Sequence, residues 1–175
     1  MWATYLRSLH FKIGFNKMRF SADPKTVLRD PVHFLAFGFG SGLSPKAPGT
    51  MGTLVALPMV YGLMHLSLTV YLCCIVMLCV FGIYLCGESA RRLNTHDHPG
   101  IVWDEFAGMA ITMIAVPLQL RWLLLGFLLF RFFDIVKPWP IREADHRLTG
   151  GFGIMLDDII AGLFSCVLLH VAIRI

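Results

Sequence analysis

Charged residues are scarce in this 175-residue chain, and their scarcity excludes an ordinary soluble fold. Asp, Glu, Lys and Arg make up 15% of the sequence, whereas 57% is hydrophobic. Soluble domains average about 25% charged and 45–50% apolar residues. So small a soluble domain could not bury this much apolar surface. The composition therefore predicts one all-α, multi-pass membrane domain. Because the net charge is only +4, we expect no nucleic-acid partner.

Several motifs with well-defined chemistry are also missing. The five cysteines are odd in number, lie in apolar segments and lack metal-ligand spacing, which argues against a disulfide framework or a zinc site. The glycine-rich stretch 38–42 fits neither the Walker pattern nor the dinucleotide fingerprint. The paired-serine and histidine motifs of metal-independent lipid phosphatases are absent, as is an Asp-x-Asp nucleophile. No cleavable signal peptide is predicted.

Long apolar runs, broken by basic loops, set the expected topology. Residues 2–20 alternate apolar, mainly aromatic, residues with basic ones, which predicts that residues 1–30 form an amphipathic segment on the membrane surface. Residues 31–175 then form a single membrane-embedded domain, opening with a short interfacial or re-entrant helix from Pro31 to Phe39, with Asp30 as its N-cap. A loop is expected from Gly38 to Thr53. About five spans follow, near residues 50–66, 69–86, 104–116, 122–136 and 152–173.

Lys and Arg concentrate in three regions of the chain, which predicts its orientation. These are the N-terminal segment, the polar loop 87–100 and the loop 137–150. Because basic loops stay on the cytoplasmic side, all three should face the cytoplasm. The expected location is a bacterial inner membrane, with the polar motifs at its cytoplasmic face.

Acidic residues interrupt the apolar runs at three places. An ionised carboxylate in a membrane helix costs at least ~2.5–3.5 kcal/mol, so the adjacent pair Asp157 and Asp158 requires a compensating partner. Oxygen ligands of this type suit Mg²⁺. Simpler interpretations exist for the other acids, since Asp104 and Glu105 could be first-turn acids and Asp134 could pair with Arg131. The candidate catalytic and metal-binding residues are Asp104, Glu105, Asp134, Asp157 and Asp158.

Basic and small residues supply candidate contacts for a phosphate. Arg131 lies inside an apolar run, where it would either pair with Asp134 or grip a phosphate through two hydrogen bonds. Thr50 or Thr53 would cap the next helix and leave N–H groups free for an anion. The predicted phosphate-binding residues are Lys46, Thr50, Arg131, Lys137 and Arg142.

Four segments, in this order, resemble the phosphatidylglycerophosphatase A family of bacterial membrane enzymes. They are GFGSGLSPKAPGTMGT at 38–53, IVWDEFAGM at 101–109, RFFDIVKPWPIR at 131–142 and GGFGIMLDDIIAG at 150–162. The resemblance implies Mg²⁺-dependent dephosphorylation of phosphatidylglycerophosphate, taken from the cytoplasmic leaflet, to phosphatidylglycerol. It places the family's acidic positions on the five acids above, and its basic positions on Arg131, Lys137 and Arg142.

Two other classes of membrane protein also use carboxylates of this kind. An ion-coupled transporter also uses membrane carboxylates, but its acids would step across the bilayer, and these are expected at one depth. A CDP-alcohol phosphotransferase would carry an Asp-Gly-x2-Ala-Arg pattern, which is absent. The sequence does not determine the oligomeric state.

Overall fold

The computed structural model describes residues 22–95, 98–139, 141 and 149–175. This part of the chain is all-helical, as predicted, and contains no strand. The expected amphipathic segment falls almost wholly outside it, and so does Arg142. The helices are α1 (Pro24–Arg29), α2 (Pro31–Ala36), α3 (Pro48–Leu63), α4 (Leu68–Arg92), α5 (Trp103–Thr112), α6 (Leu120–Val136) and α7 (Gly150–Arg174), with a 3₁₀ turn at Ser41–Leu43.

The two short helices before the first apolar run begin at acidic caps. Asp30 accepts hydrogen bonds from the N–H groups of Val32 and His33, which confirms it as the N-cap of α2. The helix ends at Ala36, three residues before the predicted end at Phe39. It stops because residues 38–40 all have positive φ, a conformation that no α-helix accommodates.

The limits of two predicted loops also differ from the sequence-based expectation. The predicted loop 38–53 is wrong at its end, because α3 already begins at Pro48, where the ring fits the first helical turn. The predicted loop 87–100 is wrong at its start, because α4 continues to Arg92. Glu88 forms ion pairs one turn ahead with Arg91 and Arg92, which supports this last turn.

Helix α5 lies at the centre of the domain and is buried on every side along almost its whole length. It packs against α3, α4, α6 and α7, and its contact with α7 is the most extensive in the fold. Gly108 and Gly162 make that crossing close, because a Cβ on Gly162 would lie 2.6 Å from the Gly108 carbonyl oxygen. Small residues of this kind are typical of helix contacts in membranes.

Two of the described helices are long and apolar enough to cross a membrane. These are α4 and α7, each with 25 residues. Helices α3 and α6 have 16 and 17 residues, close to the lower limit of about 17 for a span. Helix α5 has only 10 residues, about half of the ~20 that one span needs. The count of five spans therefore stays a prediction.

Candidate active site

One end of the helix bundle collects all five predicted acids. Asp104 and Glu105 lie in the first turn of α5, and Asp134 lies in the last turn of α6. Asp157 and Asp158 lie about two turns into α7. The charges of the other four acids all act on the Asp158 carboxylate, so the set forms one cluster.

Three of the acids lie close enough together to bind one metal ion. Asp134, Asp157 and Asp158 each offer a carboxylate oxygen, and these three oxygens lie within 4.8 Å of one another. Asp157 and Asp158 are buried. The Asp158 Oδ2 atom is buried and has no hydrogen-bond partner among the described residues. Because a buried carboxylate oxygen needs compensation, the unpartnered oxygen of Asp158 and the closeness of the three carboxylates both fit a hard cation.

Arg131 connects a fourth acid to this triad. Its guanidinium Nη1 donates to Oε2 of Glu105 and lies 2.7 Å from Oδ2 of Asp134. The intrahelical pair with Asp134 agrees with one of the two sequence-based alternatives. The pair with Glu105 adds a second helix, so Arg131 neutralises one buried and one partly buried carboxylate at once. Removing one partner of such a pair is strongly destabilising, because it leaves an uncompensated charge out of water.

Lys137 provides the second cation of the site. Its Nζ lies 2.6 Å from Oδ2 of Asp157, a member of the triad. Lys137 is the C-cap of α6 and has φ 43°, a left-handed conformation that non-glycine residues adopt at a cost. Its side chain is 26% exposed, against 12% for Arg131, so Lys137 is the more accessible of the two.

Two other residues predicted to contact the phosphate, Lys46 and Thr50, lie in or next to the first turn of α3. Lys46 is exposed in the loop before α3 and forms no ion pair with any described acid. Thr50 lies half-buried in the first turn of α3. The prediction that Thr50 or Thr53 caps this helix is wrong. The N-cap is Ala47, which makes no side-chain hydrogen bond, because the helix starts earlier than expected.

Two neighbours of the acids were not predicted as site residues. Thr53 is fully buried, and its hydroxyl lies 2.7 Å from Oε2 of Glu105. Gly49 packs so closely that a Cβ there would lie 2.2 Å from Oε1 of Glu105. The one feature of the sequence that could have indicated these two residues is a hydroxyl side chain within an apolar helix, four residues after a glycine. That spacing places Thr53 and Gly49 on one face of α3.

Comparison with known proteins bears on what this site does. Residues 34–173 match the model of the family described as Phosphatidylglycerophosphatase A. The chain is 46% identical to Phosphatidylglycerophosphatase A of Escherichia coli (strain K12) over 150 residues, covering 85% of this chain and 87% of the relative. It is 45% identical to the Haemophilus influenzae protein of the same name over 147 residues, covering 82% and 89%.

A third relative has a different name. A Bacteroides thetaiotaomicron protein, provisionally named a phosphatidylinositol-3-phosphatase, is 37% identical over 142 residues, covering 77% of this chain and 89% of the relative. No solved structure matches the chain significantly. The matched residues 34–173 include α5, α6, almost all of α7 and all five acids.

Proposed function

The chain belongs to the phosphatidylglycerophosphatase A family and is a phosphatase, and we propose that it hydrolyses phosphatidylglycerophosphate in a Mg²⁺-dependent reaction. Water adds to phosphorus, the bond from phosphorus to the glycerol oxygen breaks, and a proton passes to that oxygen. The products are phosphatidylglycerol and inorganic phosphate. The observation that carries the metal dependence is the triad of the partly buried Asp134 with the buried Asp157 and Asp158.

The triad would hold the metal through carboxylate oxygens, the ligands that Mg²⁺ prefers. The unpartnered Oδ2 of Asp158 supports this assignment. Bound Mg²⁺ would polarise the phosphoryl group and make a bound water more acidic. Asp104, in the neighbouring first turn of α5, adds negative charge to the same cluster.

The two cations take separate roles in this proposal. Lys137 lies at the edge of the triad and is partly exposed, so its ammonium can neutralise a non-bridging oxygen of an arriving phosphate. Arg131 is almost enclosed and engaged with two carboxylates, so it balances the charge of the site. Lys46, Thr50 and Arg142 are further candidates for phosphate contacts from the sequence.

A membrane location supports access to a lipid substrate. The outer face of α4 exposes large apolar side chains, as a lipid-facing surface would: Val76, Met77, Val80 and Phe81. Trp139 follows α6 and is 77% exposed, which suits the membrane interface. We therefore place the acids at the cytoplasmic interface of a bacterial inner membrane. The headgroup would reach the acids while the acyl chains stay in the bilayer.

Phosphate release tests this proposal directly. Purified protein in detergent should liberate inorganic phosphate from phosphatidylglycerophosphate when Mg²⁺ is added, and EDTA should abolish the release. Phosphatidylinositol 3-phosphate and phosphatidic acid belong in the substrate panel, since one relative carries a different substrate name. Activity that EDTA leaves unchanged would refute the metal site. A preference for another lipid would refute the substrate.

A further inference from the structure

We propose that Thr53 is a positioning residue that holds Asp134 in the metal-binding triad, acting through Glu105 and Arg131. The inference rests on the proposed function of the triad and adds a residue outside the predicted site. It also changes the role of Glu105. That carboxylate belongs to the acidic cluster, but we assign it to holding Arg131 and not to binding metal.

Glu105 is enclosed by the neighbouring helices. Thr53 of α3 lies 2.7 Å from Oε2, and Arg131 of α6 donates to the same oxygen. The other oxygen, Oε1, faces the backbone of Gly49, where there is no room for a Cβ. Glu105 is 6% exposed and lies outside the group of three carboxylates whose oxygens converge. Its two oxygens are therefore used for contacts with α3 and α6.

Arg131 carries the constraint from Glu105 to the triad. The same nitrogen, Nη1, contacts both Glu105 and Asp134. If the Glu105 carboxylate rotates, the guanidinium must follow it or lose one of its two partners. A guanidinium that follows Glu105 moves away from Asp134, whose Oδ2 it now holds at 2.7 Å, and one that loses Glu105 is no longer anchored on α5 and holds Asp134 less rigidly. Asp134 supplies one of the three converging oxygens, so its displacement loosens the metal site.

Thr53 fixes the Glu105 end of this chain of contacts. Its hydroxyl is fully buried in α3 and lies 2.7 Å from Glu105 and 2.9 Å from the Gly49 carbonyl oxygen. A hydroxyl has one proton, and the carboxylate is both the closer and the charged acceptor, so the bond to Glu105 is the stronger. Removing partners that orient metal ligands typically weakens metal affinity about 10–100-fold. The side chain of valine has the same shape but cannot donate.

Manganese binding to the full-length protein in detergent, without lipid, tests this inference. Mn²⁺ is the probe, and its electron paramagnetic resonance signal reports the free ion. Thr53→Val should raise the Kd for Mn²⁺ about 10–100-fold. Thr53→Ser keeps the donor and should restore binding to near wild type. Thr112→Val is the matched control, because the Thr112 hydroxyl is equally buried but, among the described residues, bonds only to the backbone carbonyls of Gly108 and Gly162.

The outcomes separate this inference from the proposed function. Wild-type Mn²⁺ affinity in Thr53→Val would overturn the inference, and so would an equal loss in Thr112→Val, which indicates a structural effect. If Thr53→Val is not recovered folded, Thr53→Ala also removes the hydroxyl; weaker Mn²⁺ binding in Thr53→Ala than in Thr53→Ser supports the inference, and equal binding in the two overturns it. Failure of the wild type to release phosphate from phosphatidylglycerophosphate would refute the substrate while the Mn²⁺ comparison still tests Thr53.

Discussion

Replacing Gly49 with alanine should inactivate the enzyme, although glycine is normally a poor residue inside a helix. Gly49 lies in the first turn of α3, and a Cβ there would lie 2.2 Å from Oε1 of Glu105 and 3.2–3.3 Å from the two terminal nitrogens of Arg131. Real Cβ atoms essentially never come within 3.0 Å of another heavy atom. The carboxylate must therefore move by roughly 1 Å, since ordinary contact distances begin near 3.4 Å.

The structure gives the size of the effect. The Glu105 Oε2 atom now lies 2.7 Å from the Thr53 hydroxyl, so a shift of this size away from Thr53 breaks their hydrogen bond. The same shift disturbs the ion pair between Glu105 and Arg131. A misplacement of about 1 Å can cost about 100-fold in rate. We expect kcat for phosphate release to fall by roughly that factor. Overpacking should also destabilise the protein by about 1–3 kcal/mol.

The same helix offers a matched control. Gly62 lies near the end of α3, and a Cβ there would have no atom within 4 Å. Gly62→Ala should leave phosphate release unchanged and stabilise the protein by up to about 1 kcal/mol, because alanine favours the helix. The measurements are kcat for phosphate release and thermal unfolding in one detergent. A Gly49→Ala enzyme with near wild-type activity would refute the close packing around Glu105.

Three further predictions address the acids and the cations. Asp157→Asn and Asp158→Asn should each remove most phosphate release yet leave folded protein in the membrane. Mg²⁺ should no longer raise the midpoint of thermal unfolding of either variant. Normal turnover in both variants would overturn the assignment of these two residues. Arg131→Ala should cost about 3–5 kcal/mol of stability, measured by denaturation, because the buried Glu105 and the partly buried Asp134 lose their cation. An unchanged midpoint would contradict this. Lys137→Ala should raise KM more than it lowers kcat, if Lys137 grips the ground-state phosphate. Lys137→Gly should have the same kinetics as Lys137→Ala but a higher thermal stability than that variant, because glycine suits φ 43°. If both variants lower kcat and leave KM unchanged, the phosphate-binding role of Lys137 is refuted.

Much of the site could be predicted because charges in apolar runs are costly and hence conspicuous. Asp157 and Asp158 stand out in this way, and Arg131 with Asp134 are three residues apart on one helix. Thr53 could not be found by the same reasoning. A hydroxyl is tolerated within an apolar helix without a partner on another helix, so its presence alone does not indicate a site.

The helix limits were predicted less well than the helices themselves. Composition indicates the apolar segments, but Pro48 can either begin a helix or belong to a loop, and the sequence does not distinguish these. The last turn of α4, to Arg92, is supported by ion pairs between Glu88 and two arginines. Their strength depends on the surroundings as well as on spacing.

The sequence by itself determined the all-helical class and the five acids, because both follow from local composition and from the energetic cost of charge in an apolar segment. Only the tertiary structure decided how these acids divide. The crossing of α5, α6 and α7 brings Asp134, Asp157 and Asp158 together, and the packing of α3 turns Glu105 towards Arg131. Those distances depend on how closely separate helices approach, which no pattern along one helix specifies.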